Sequence, residues 1–450
     1  PGAPIAKGPG TGHGTLNLVA DRIVLGYQDG ASGIPTLNMN RLALGFSTVN
    51  LTAAQRIETN DRGTISIYES QAVSGKPGVG GTLNITTPLL TGKGGSNVGF
   101  VAGGAIKLAA PQGWTAPAKR PEVPMGGEIG FTGSTVAVDT LVALPSGRLK
   151  LTARDGDVTL GDRARIDMAG MASKFFDETR YSWGGDIELE SATGDVLVAK
   201  GAVIDLSADY NHAGLLKVTA LNGTAALDGT IQGEARNGGQ GPNPELRAGG
   251  IDIRAGQIAG FAALNARLNE GGVTHSRSFL TRAGDVVIGD EVRARNVSIT
   301  ADGGSLIVTG RIDASGAKPG SIRLSARNDL TLTGSAVLDA RGTVLQVDAY
   351  GAPVEASNRA TVELTSAGGT LTLQQGATID LASPDGVRRG RIELNARRMG
   401  SDDVAIAAAG ALNIRGAASL SVNAFRSYQP GGGVLDQALL DGIHQDSDAF

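Results

Sequence analysis

The sequence predicts an all-β chain wound as a right-handed parallel β-helix, a three-sided solenoid with projecting loops. Three observations lead there. Short alternating strands recur in a common register along the chain. Glycine accounts for 68 of 450 residues, about 15% against a usual 7%, while aromatic residues make up only 4%. Finally, the junctions between strands rarely contain the Asn-Gly or Asp-Gly pairs that an antiparallel meander would need at nearly every turn.

The recurrence has three phases. The first reads RLKLTARDG (148–156), DIELESATG (186–194), LLKVTALNG (215–223), SIRLSARND (321–329), TVELTSAGG (361–369) and RIELNARR (391–398). Its apolar residues alternate, as Leu149 and Leu151 do, which places them on one face of a strand. The second follows at once as DVTL (157–160), DVLV (195–198), TAAL (224–227), DLTL (329–332), TLTL (370–373) and ALNI (411–414). The third comes after a polar or Gly corner: ARIDMAG (164–170), AVIDLSA (202–208), AVLDARG (336–342), ATIDLAS (377–383) and ASLSVNA (418–424). Three strands fit in about 22 residues, so each phase stacks on its own kind one coil away. In the third phase Ile204 and Leu206 are expected to point inward and Asp205 to face solvent, with Asp167, Asp339 and Asp380 as its equivalents.

Surplus residues beyond the repeat fall mostly after the third phase, in 171–184, 209–214, 343–360 and 383–390, with further insertions at 71–81 and 111–126. Loops on a rigid scaffold are where binding resides. The richest is MASKFFDETRYSWG (171–184). Its Phe175, Phe176, Tyr181 and Trp183 form the candidate binding loop for a glycan or a partner protein. The expected organisation is irregular, loop-decorated coils over 1–127, regular coils over 128–430, and a cap or linker over 431–450. In that last segment Leu435, Leu439 and Leu440 allow a short helix.

Composition argues against several other chemistries. A net charge of −4 without a basic patch gives no support for nucleic-acid binding. No apolar run reaches the length of a membrane span. With no cysteine there are no disulfides or thiolate metal sites. His13, His212, His275 and His444 form no HxxxH or HxH pattern, so no metal site is expected. The GPGTGHG run (8–14) lacks the GK[ST] of a phosphate cradle. No catalytic residue, cofactor or metal is assigned. The chain opens PGAPIAKGPG, without Met or an apolar leader, and reads as an internal or processed piece of a longer protein.

The runs GGDIELESATGDVLVAKGAVIDLSA (184–208), ASGAKPGSIRLSARNDLTLTGSAVLDARG (314–342) and SYQPGGGVLDQALLDGIHQDSDAF (427–450) resemble the filamentous-haemagglutinin family of bacterial two-partner secretion exoproteins. The likeness is best over 128–450. It implies a right-handed parallel β-helix, export through an outer-membrane secretion barrel, and an adhesive role while secreted or held at the bacterial surface. The family's NPNG-type secretion motifs are absent here, so the resemblance points to an interior or C-terminal part of such a protein. It supplies no catalytic residues. The expected function is therefore a structural, non-enzymatic segment that displays loops for binding to host, surface or neighbouring cells. Two alternatives share the fold: a carbohydrate-active lyase or hydrolase using stacked carboxylates such as Asp167 and Asp205, and a phage or toxin-delivery stalk.

Overall fold

The computed structural model describes residues 12–26, 40–70, 78–238, 241–242, 245–429 and 433–450. The chain divides into two compact units, Pro1–Arg277 and Ser278–Phe450. Each is built from parallel strands stacked in three ladders, the all-β parallel β-helical class that the repeat predicts.

In the first unit the first-side ladder runs through Arg62–Tyr68, Asn97–Ala102, Glu128–Gly133, Arg148–Ala153, Asp186–Ser191 and the opening half of Leu215–Leu227. The second side stacks Thr82–Thr86, Ile106–Ala109, Val136–Asp139, Val158–Leu160 and Val196–Val198. The third stacks Leu90–Gly92, Leu141–Ala143, Arg165–Asp167, Val203–Asp205 and Thr230–Gln232. The early strands up to Ala109 thus join the same ladders as the regular ones. Most of the insertion expected at 71–81 lies outside the described residues.

Like pairs with like along each ladder. Leu151, Leu189 and Val218 are consecutive partners, and all are fully buried. Phe100 stacks on Phe131 with centroids 4.8 Å apart and rings 12° from parallel. Fully burying one such side chain contributes about 1.5–3 kcal/mol, so stability accumulates rung by rung. Asn17, Asn50 and Asn84 make a side-chain ladder of 2.7 and 2.8 Å hydrogen bonds.

The aspartates of the repeat have two structural uses. Those that open the second phase reach across to the next coil: Asp157 accepts from the Asp195 N–H (2.8 Å), and Asp195 from the Thr224 N–H (2.7 Å). Those that close the third phase bend back on their own chain. Asp167, Asp205, Asp313, Asp339 and Asp380 each accept the N–H two residues on, at 2.9–3.2 Å. This is the Asx-turn, in which a short carboxylate substitutes for a backbone acceptor where the chain leaves a strand. The solvent-facing role expected for this set needs correcting. Asp339 and Asp380 are only 2% and 6% exposed, and Asp167 and Asp205 are partly buried. Arg120 of the 111–126 insertion lies against Asp167, and Arg311, Arg341 and Arg415 lie against Asp339 and Asp380. Ile204 and Leu206 are fully buried, as expected.

Glycine is needed where coils approach each other at the corner before the first side. A Cβ on Gly147 would lie 2.0 Å from the Gly127 carbonyl, and one on Gly214 would lie 1.9 Å from that of Gly185. The last coil of the first unit departs from the repeat. After Gly250–Ile258 a helix, α1 (Phe261–Glu270), packs beside Thr230–Gln232 with Leu264 and Leu268 buried. Fully buried Arg277 donates to the side chains of Asn265 (2.9 Å) and Asn269 (2.6 Å).

The second unit repeats the plan. Its first side stacks Asn296–Ala301, Ser321–Ala326, Thr361–Ser366, Gly390–Met399 and Ala417–Phe425. Its second stacks Val286–Ile288, Leu306–Val308, Leu330–Leu332, Leu371–Gln374 and Ile406–Ala409. Its third stacks Arg311–Asp313, Val337–Asp339, Thr378–Asp380 and Asn413–Arg415. The last coil corrects the sequence reading by one side. Residues 413–414 of ALNI stand on the third side, and ASLSVNA belongs to the first. A small antiparallel hairpin, Arg398–Met399 against Asp403–Val404, intervenes before the second side and displaces the register. The helix allowed near the C-terminus is present as α2 (Gln437–Ala449), with Asp436 accepting from the Leu439 N–H at 2.9 Å. Among the described residues no helix is long and apolar enough to cross a membrane.

Candidate functional site

The insertion after Arg165–Asp167 is a β-hairpin rather than an irregular loop. Ala172–Phe175 pairs antiparallel with Glu178–Tyr181, from Ala172 opposite Tyr181 to Phe175 opposite Glu178. The two-residue turn places Phe176 at φ 55°, a left-handed conformation that bulky residues rarely adopt. Ser146 (φ 56°) and Tyr210 (φ 53°) share this conformation, and both belong to the same neighbourhood. Each such residue costs about 1–3 kcal/mol that its surroundings must offset, and of the three Ser146 lines the cleft beneath the hairpin.

The hairpin leans over the coil to enclose a cleft of about 370 Å³, lined by Met125, Ser146, Phe175, Tyr181 and Trp183 together with Gly126, Ser173, Arg180 and Ser182. Its floor is fastened by hydroxyls. Ser146 Oγ lies 2.7 Å from the Trp183 carbonyl and 2.6 Å from Ser182 Oγ, which in turn accepts from the Met171 N–H at 2.8 Å. Phe175 and Trp183 are 56% and 58% exposed, so the rings remain available to a ligand. Tyr181 is held by Tyr210, whose ring centroid is 4.6 Å away at 53°. The Tyr181 carbonyl accepts from Asn211 Nδ2 (2.8 Å), and His212 Nδ1 accepts from the Arg247 N–H (2.9 Å).

Of the four aromatic residues singled out in the sequence, the structure brings Phe175, Tyr181 and Trp183 together. Phe176, 98% exposed at the hairpin tip, stands outside the cleft. The sequence reading missed Met125 and Ser146, which come from other coils. Ser146 looks like a plain turn residue in LPSGR, and only its left-handed φ distinguishes it.

The segment 111–126 flanks this site and is anchored in two ways. Trp114 packs on Leu89, Val123, Leu141 and Ala143. Arg120 grips Asp167 with both arms of its guanidinium at 2.5 Å and also donates to the Gly170 carbonyl at 3.3 Å. Burial pushes the Asp167 carboxyl above its ordinary value; Arg120 opposes this, and the neighbouring Asp205 charge adds to it. Asp205 is engaged as well, accepting from the Ser207 hydroxyl at 2.6 Å. Both carboxylates of the stacked pair are therefore bound up in local contacts. On the first side, Lys150 and Lys217 bracket Glu188 at 3.4 and 3.0 Å on an exposed face.

Among the described residues, no cluster of three or more His, Cys, Asp or Glu side chains is placed to hold a metal ion. The cleft brings together flat apolar rings, a nearby guanidinium and several hydroxyls, carried on the hairpin and on the turns it leans over. Comparison with family models, with curated proteins and with solved structures found no match.

Proposed function

We propose that this chain is a scaffold segment of a large bacterial surface protein of the filamentous-haemagglutinin type, and that its binding activity resides in the 172–183 cleft. The coils set the spacing and direction of the loops, and the hairpin presents a carbohydrate-binding surface. The exposed rings of Phe175 and Trp183, fixed over a strained and hydroxyl-fastened floor, are the observation that supports this. Such rings offer apolar faces to the C–H surface of a sugar, while Arg180 and the serines supply hydrogen bonds. Export through an outer-membrane barrel and residence at the cell surface belong to the same proposal.

The reading is tested in a bacterium that produces the full-length protein. Antibody against the hairpin should label intact cells, and beads coated with the chain should be retained on glycan-coated surfaces. Labelling only after lysis would contradict the surface reading. Retention on protein-coated surfaces alone would replace the sugar with a protein receptor. A second reading, a carbohydrate-active enzyme working at Asp167 and Asp205, is favoured by the raised Asp167 carboxyl and opposed by the Arg120 contacts that occupy both its oxygens. Reducing ends released from a polysaccharide panel by the wild-type chain, and lost in Asp167→Asn, would favour it.

A further inference from the structure

The second unit contains a site of different chemistry. Where Gly390–Met399 and Ala417–Phe425 run side by side, Arg397, Arg398, Gly400, Phe425, Arg426 and Ser427 surround a cleft of about 500 Å³. Three guanidinium groups meet there with one carboxylate, Asp446 of α2. Asp446 accepts from Arg426 at 2.6 Å, from Arg398 at 3.4 Å and from the Tyr428 hydroxyl. Arg398 also lies over the Phe450 ring, 4.3 Å from its centroid.

Two observations show that Asp446 leaves this site short of acceptors. The Nε of Arg398 is buried without any hydrogen-bond partner, and its terminal nitrogens reach the Asp446 carbonyl (3.3 Å) and Ser447 Oγ (3.4 Å) only at long range. The exposed Arg397 side chain makes no ion pair or hydrogen bond among the described residues. Three positive charges against one negative leave an excess of two in one cleft. Guanidinium forks match the oxygens of tetrahedral oxyanions, and the Phe425 ring provides apolar surface beside them.

We propose that the Arg397–Arg398–Arg426 cleft binds a phosphate group, free or as a phosphomonoester, beside Asp446. The dianion balances the excess charge, its oxygens take the unused donors of exposed Arg397, and Asp446 holds Arg398 and Arg426 in place until it binds. Asp446 is then a competitor as well as a brace, so removing its charge should tighten binding.

The experiment is calorimetric titration of the full chain with inorganic phosphate and with phenyl phosphate, at fixed ionic strength against a chloride control. One saturable site is expected. Arg397→Gln, which breaks no side-chain hydrogen bond or ion pair among the described residues and should leave the thermal midpoint unchanged, should weaken binding roughly tenfold. Asp446→Asn should strengthen it. Tighter binding of phenyl phosphate would identify an organic phosphate stacked on Phe425, and equal binding would identify the free anion. Absence of saturable binding in both the wild type and Asp446→Asn, or equal affinities for wild type and Arg397→Gln, would overturn the proposal.

Discussion

Two insertions leave the solenoid at the same corner, each following an Ile-Asp or Leu-Asp that ends a third-side strand, yet they are built on opposite principles. In the first unit, 171–184 forms a hairpin whose rings stand out over a cleft. In the second, 343–360 closes on itself through polar contacts. Asn358, nearly buried, accepts from the Gln346 N–H (2.8 Å) and donates to the carbonyls of Gln346 (2.7 Å) and Val354 (2.9 Å). Asp348 accepts from the N–H groups of Tyr350 and Ala352, both at 2.9 Å. Buried Arg389 ties this loop to the next insertion through Glu355 (3.0 Å) and Asp385 (2.7 Å). Tyr350 is almost fully exposed and lines neither cleft. An exposed aromatic ring is therefore not enough to mark a site. What distinguishes the first loop is that its rings line a cleft, beside Ser146 in a left-handed conformation.

The largest expected effect comes from Arg120→Ala. It would leave the Asp167 carboxylate partly buried without its partner and release the 111–126 wall. Stability of the first unit should fall by about 3 kcal/mol, read as a shift in the denaturation midpoint. Arg389→Ala in the second loop should cost less, about 2 kcal/mol, because Glu355 is mostly exposed and can turn to water. If both variants cost the same, the contrast in anchoring would be lost.

A smaller effect concerns pH. Burial holds the Asp339 carboxyl above its ordinary value, against the pull of the Arg341 N–H and of the Arg341 and Arg311 charges; Asp380 adds to the rise. A raised folded-state value means that the native chain binds this proton more readily than the unfolded chain does. The stabilisation is fully present below the unfolded carboxyl value of about 3.9 and is lost as pH rises through the folded one. Asp339→Asn lacks this titration. Its thermal midpoint should therefore gain on the wild type as pH rises above about 4. A constant difference would show that the arginines compensate fully.

The coils were legible in sequence because a stacked strand repeats its chemistry: one apolar alternation and one aspartate at a fixed corner, coil after coil. The first feature to escape was α1. Phe261, Leu264 and Leu268 have helical spacing between Gly260 and Gly271, but they stand where the repeat called for another strand. The second was the burial of Asp339 and Asp380. Alternation shows which way a side chain leaves the strand, but not which arginines of neighbouring coils close against it. For the same reason the cleft was half legible. Its rings come from one short segment of sequence, whereas Met125 and Ser146 reach it only because the coils stack.

The most direct test of where function lies is binding of the full chain to a carbohydrate array, compared with two variants. The double variant Phe175→Ala, Trp183→Ala removes the exposed rings of the cleft; Phe176→Ser removes an equally prominent ring outside it, at a stability cost within about 0.5 kcal/mol. Binding should be lost in the first and kept in the second. Binding that survives in the double variant, or disappears equally in both, would contradict it.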